Sequence, residues 1–88
     1  MRLQMATPWN AVIAETRHIA EQYMDAFGLS TEMWEARTLS ESPAGLFYER
    51  MVVIRPHWRV TPEQFVAFER RVHGWAGRVS PTGKFKMI

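Results

Sequence analysis

Two short pairs in this chain have the spacing of helical metal ligands. His18-x-x-Glu21 and Glu69-x-x-x-His73 each place an imidazole about one turn from a carboxylate, and i, i+3 and i, i+4 side chains share a helix face. Each pair sits on a different predicted helix, and two ligands do not fill a tetrahedral site. Ordinary exposed polar faces explain both. The stretch Gly77 to Phe85 resembles a phosphate loop only briefly. Its glycines, Gly77 and Gly83, are separated by five residues rather than four, and Phe85 stands where a magnesium-binding hydroxyl belongs. It also follows a predicted helix, whereas the motif follows a strand. There is no Cys, which excludes thiol nucleophiles, thiolate metal sites and disulfides. No Gly-x-Ser-x-Gly nucleophile turn is present. These residues predict a protein that is not an enzyme and needs no metal or cofactor.

The basic and aromatic residues are the positive lead. Net charge is +2, unevenly placed: residues 1–44 carry −3 and residues 45–88 carry +5. The segment Arg55-Pro56-His57-Trp58-Arg59 puts an indole between cations, in a connection that Pro56 makes an exposed loop rather than a continued strand. Trp and Arg are the residues most enriched at interface hot spots. With Arg70 and Arg71 on the second helix and Lys84 and Lys86 near the end of the chain, the predicted partner-binding set is Arg55, His57, Trp58, Arg59, Arg70, Arg71, Lys84 and Lys86. Its complement is an acidic protein surface or, as the runner-up, a nucleic-acid backbone. Nine of the eleven basic residues are Arg, the side chain suited to bidentate contacts with carboxylate or phosphate; GC-rich coding explains the same bias.

The elements that would position these residues follow from periodicity. Arg2 to Ala6 alternates like a strand. Thr7-Pro8 is a helix start, and Trp9, Val12, Ile13, Thr16, Ile19, Ala20, Tyr23 and Phe27 form a helical stripe to Gly28. Strands are predicted over 32–39 and 46–55, joined by a hairpin loop at 40–45. Thr61-Pro62-Glu63-Gln64 is a capping box opening a second helix to about Trp75, whose buried stripe is Phe65, Phe68, Val72 and Trp75. A last strand covers 84–88. The order β-α-β-β-α-β predicts one α+β domain over residues 1–88, the ferredoxin-like split βαβ fold with two helices on one face of a four-stranded antiparallel sheet. Phe27-Gly28-Leu29-Ser30 resembles the turn of a helix-turn-helix, which would make 31–39 a helix. Met24, Trp34 and Arg37 are poor fits to the small and apolar positions that motif requires.

The run Leu46 to Ile54 is apolar on both sides, and a fold with helices on one face leaves the other side open, so a homodimer is expected. No segment is apolar and long enough to span a membrane, and the N-terminal residues lack a secretory h-region; with no Cys, a cytoplasmic protein is expected. The functional expectation is a small binding protein that regulates or inhibits a partner protein by occlusion, in the manner of small phage- or plasmid-encoded inhibitors of bacterial proteins. Alternatives are a nucleic-acid-binding domain using the basic second half and a dimeric small-ligand or enzyme domain. RNA-binding domains of the expected fold carry stacking aromatics near Gly45-Leu46-Phe47-Tyr48, but only Gly45 and Tyr48 match their pattern.

Overall fold

Ala11-Val12-Ile13-Ala14 is an unbroken apolar run, and it forms the central strand of the molecule rather than the first half of a helix. The structure is a computed structural model that describes residues 9–56 and 60–88. Strand β1 is Asn10–Ala14, with all five residues buried. Helix α1 is Arg17–Ala26, strand β2 Trp34–Thr38, strand β3 Tyr48–Val53, helix α2 Pro62–Ala76 and strand β4 Val79–Met87. The described elements again read β-α-β-β-α-β, but their first strand falls within the segment expected to be helix, and the sheet differs. Its order is β2-β1-β3-β4 and every neighbouring pair is parallel. The antiparallel ferredoxin-like sheet is therefore incorrect; the fold is α+β with an all-parallel sheet. The strand expected at Arg2 to Ala6 lies outside the described residues.

The physical reason is the identity of β1. A strand covered on both faces reads as a continuous apolar run, and here it lies between β2 and β3. Those two strands therefore cannot form the expected hairpin: residues 39–47 carry the chain past β1 to start β3 parallel to β2. The true helix start is Thr16, whose Oγ1 accepts from the Ile19 N–H at 3.2 Å. At the other end Gly28 adopts a φ of 65°. Its N–H donates to the Asp25 carbonyl, and the Leu29 N–H donates to the Met24 carbonyl at 2.8 Å. This is a Schellman ending, which needs the left-handed residue. Residues 31–33 form a turn and 34–38 a strand, so the recognition-helix alternative fails.

The two helices lie on opposite faces of the sheet. Ala20 and Met24 of α1 pack on Val12, Ala14, Ala36, Val52 and Ile54. Val72 and Trp75 of α2 pack with Ala11, Ile13, Met51 and Val53. Successive strand residues point to opposite faces, so these are two cores separated by one sheet. The crossover β1-α1-β2 runs outward to one side and β3-α2-β4 to the other. Two crossovers of the same hand that run in opposite directions must place their helices on opposite faces. Both apolar sides of β3 are thus covered within one chain, which removes the reason for expecting a second copy there.

Helix α2 begins as the sequence predicts. Thr61 Oγ1 accepts from the Gln64 N–H at 3.1 Å, and Gln64 Oε1 accepts from the Thr61 N–H at 2.9 Å. Its buried residues are Val72 and Trp75. Phe68 is partly buried and Phe65 is 49% exposed, so the stripe does not reach the first turn. Leu39 and Leu46, from the loop between β2 and β3, pack on the same core as Trp75, and the loop occupies the place of a third helix.

Strand β4 is longer than expected. Tyr48 pairs with Val79 but Arg50 pairs with Lys84, so Ser80 to Gly83 bulge out of the ladder. Pro81 is tolerated there because a bulge needs no ladder N–H. A Cβ on Gly83 would run into the Glu49 carbonyl oxygen and lie 2.8 Å from Val79 Cγ1.

Candidate functional site

The basic residues grouped from the sequence are divided among three places. Lys84 and Lys86 lie on the α1 side of the sheet, where Arg50 pairs with Lys84 and Val52 with Lys86. Helix α1 covers β1 and β2, so Arg50, Lys84 and Lys86 remain exposed on the uncovered half of that face. None of the three is ion-paired among the described residues. Arg55 stands just beyond β3, its N–H donating to the Ile88 carbonyl at 2.9 Å. Arg71 faces a crevice at the carboxyl ends of the strands, while Arg70 is exposed on α2. His57, Trp58 and Arg59 lie outside the described residues.

The side of α2 that faces β4 is apolar and open. A groove of about 470 Å³ runs between them, lined by Phe65, Phe68, Val72 and Ala76 from the helix and Phe85 and Met87 from the strand. Arg55, Glu69 and His73 supply its polar rim. Phe65, Val66 and Phe85 are 49%, 47% and 38% exposed. The cause is local. Among the described residues β4 is the last strand of the sheet, and α2 reaches the core only from Phe68 onward. Sequence reasoning placed Phe65 in the core because helical spacing shows which residues share a face but not how far the supporting sheet extends.

A second concavity of about 400 Å³ lies where the chain reverses its winding, between the carboxyl ends of β1 and β3. Glu15 comes from the end of β1, Leu39 and Ser40 from the end of β2, Pro56 and Val60 from beyond β3, and Gln64, Phe68 and Arg71 from α2. Open parallel sheets bind ligands at this kind of switch point. Here the carboxylate and guanidinium come from different elements. Gln64, however, already spends its side-chain oxygen on the cap of α2.

A polar network missed in the sequence joins β2 to β3. Tyr48, itself buried, donates its hydroxyl hydrogen to Glu35. Arg37 donates to Glu35 at 3.0 Å and to Glu41 at 3.3 Å, and Arg17 reaches Glu41 at 3.4 Å. Glu35 and Arg37 are two apart on a strand, so they share a face; that was the available signal. Burial, followed by the hydrogen bond and charge of Glu35, raises the Tyr48 phenol well above its ordinary range. Burial opposes the Arg37 charge, but Glu35 with Tyr48 and Glu41 more than offsets it, so Arg37 also titrates higher than usual. The network fastens the edge strand and leaves no free base. Among the described residues, no three potential metal-ligating side chains gather at one point, and no helix is long and apolar enough to cross a membrane. Compared with known proteins, the chain matches no family model and no curated protein sequence.

Proposed function

We propose that this chain is a small binding protein that acts on a partner protein, regulating it by occlusion, and that the α2–β4 side is the docking surface. The carrying observation is the open groove lined by the exposed Phe65 and Phe85. Contiguous exposed apolar surface bordered by polar groups marks interaction sites, and aromatic anchors beside an Arg supply most binding energy at such sites. Arg55 stands at the groove's rim, and Lys84 and Lys86 project from the other face of the same edge strand, which favours an acidic partner that reaches the edge.

The test is affinity capture from the native host with the immobilised chain and with Phe65→Asp. A protein retained by the wild type after nuclease treatment, and lost with the variant at unchanged melting temperature, supports the reading. Retained material that disappears with nuclease would point instead to nucleic acid held by the Arg50–Lys84–Lys86 surface.

The crevice at the strand ends favours a second reading, a small ligand carrying both an anionic group and a hydrogen-bond donor, set between Arg71 and Glu15. Screening small carboxylates and phosphates by ligand-observed magnetic resonance, with Arg71→Ala as control, tests it. Binding that the variant abolishes supports it, and binding indifferent to Arg71 removes it.

A further inference from the structure

Among the described residues β4 is an edge of the sheet with no strand beyond it, and its two faces differ in chemistry. We infer that this edge takes an extended segment of a partner protein as a fifth strand, and that the segment alternates acidic and apolar residues. The inference rests on the partner-protein reading above and names the chemistry of the partner.

The backbone supplies the template. The Ile88 N–H donates to the Val53 carbonyl at 3.0 Å, and the Ile88 carbonyl accepts from Arg55 at 2.9 Å. Residue 88 therefore turns its peptide groups toward β3. Along a strand these groups alternate sides, so Lys84 and Lys86 also bond inward, whereas Phe85 and Met87 turn their N–H and C=O to the open edge. An unpaired row of this kind pairs with an added strand unless the edge is guarded.

The side chains select which strand. On one face the added segment meets Lys84 and Lys86, with Arg50 one strand farther in. On the other it meets the groove of Phe65, Phe85 and Met87. Side chains of a strand alternate faces, so carboxylates two residues apart match the lysines while the intervening apolar residues enter the groove.

A second copy of this chain is the wrong occupant. Two-fold pairing of β4 centred on Lys86 or on Phe85 would set Lys86 against Lys86, or Lys84 against Lys86, and like charges directly opposite are destabilising; centred on Met87 it would pair only the last residues of the strand. A nucleic-acid strand would satisfy the cations but leave the groove empty.

The experiment uses the isotopically labelled chain and a short synthetic peptide alternating glutamate and valine, with a lysine–valine peptide as counterpart. Saturable binding of the glutamate peptide, slowed exchange of the Phe85 and Met87 amide hydrogens, and weakening by added salt are expected. The double variant Lys84→Glu with Lys86→Glu should bind that peptide at least about tenfold more weakly and accept the lysine peptide instead. Binding that leaves those two amides unprotected overturns the inference, as does equal affinity of wild type and charge-reversed chain. The two proposals fail separately. Natural-partner capture that Phe65→Asp abolishes and charge reversal leaves intact keeps the docking side and removes strand addition. Capture unaffected by either change removes both.

Discussion

Tyr48 shows how one side chain can join packing to polarity. Its ring lies with Trp75, centroids 6.5 Å apart, and its hydroxyl donates to Glu35. Both surroundings favour the protonated phenol, so the folded chain keeps its proton to higher pH than the unfolded chain, whose phenol titrates near 10.0. Above that pH the unfolded state binds fewer protons, and stability falls as pH rises. At neutral pH, where both states are protonated, the contribution is complete. Tyr48→Phe removes the hydrogen bond to a charged acceptor and should cost about 1–2 kcal/mol at neutral pH. It should also flatten the loss of melting temperature above pH 10 relative to wild type. Equal alkaline slopes in thermal scans of the two proteins would mean that Tyr48 titrates normally. The constellation of Glu35, Arg37 and Tyr48 was only partly legible in the sequence. Period-two spacing on β2 puts the first two on one face, but the approach of Tyr48 depends on β1 lying between β2 and β3.

At the scale of elements, the clearest signals were those closed by local bonds. The capping box of α2 and the Gly28 ending of α1 could be read from residue types because their partners are three to five positions away. β1 could not. Trp9, Val12, Ile13 and Thr16 satisfy helical spacing as well as a buried strand does, and a short apolar run carries no period to separate the two. Thr7-Pro8 imitates a helix start as convincingly as Thr16, since capping preferences concern residue types and not the tertiary position of the segment they open. With β1 hidden inside a helix, nothing in the sequence placed a strand between the consecutive β2 and β3, and a hairpin was the natural inference. Thr16→Ala should cost about 1 kcal/mol by leaving the Ile19 N–H without its acceptor, measurable as a lower denaturation midpoint; no shift would mean that water replaces the cap at no cost. Trp75, on α2, is fully buried between the sheet and Leu39 and Leu46 of the 39–47 loop. Trp75→Ala should cost about 3–5 kcal/mol, and a mild effect would show that α2 contributes little to the core. The groove beside Phe65 was not legible because exposure there depends on where the sheet stops.

The whole molecule has a parallel sheet with helices on both faces, and one group of its exposed apolar side chains, Phe65 and Phe85, lies beside the edge strand β4, while Trp9, Phe27 and Phe47 are exposed elsewhere. With both sides of β3 buried within the chain, the β4 edge is one surface where copies could associate. Association there would extend the sheet across a two-fold axis, with Phe85 and Met87 exchanging hydrogen bonds. The registers centred on Phe85 or Lys86, which pair the most of the strand, place lysine opposite lysine, and edge lysines are a recurrent guard against such pairing. The chain should therefore sediment as a 10.3 kDa monomer at tens of micromolar, in contrast to the homodimer suggested by the apolar run of residues 46–54. Removing the guard reverses the balance. Lys84→Thr with Lys86→Val keeps strand propensity, leaves the groove intact and removes the repulsion, so this variant should associate in proportion to concentration while the wild type does not. Sedimentation velocity over a concentration series decides the matter. A wild-type dimer would place the self-contact elsewhere than on the lysine-bearing edge. A double variant that stays monomeric would show that the lysines are not what keeps β4 unpaired.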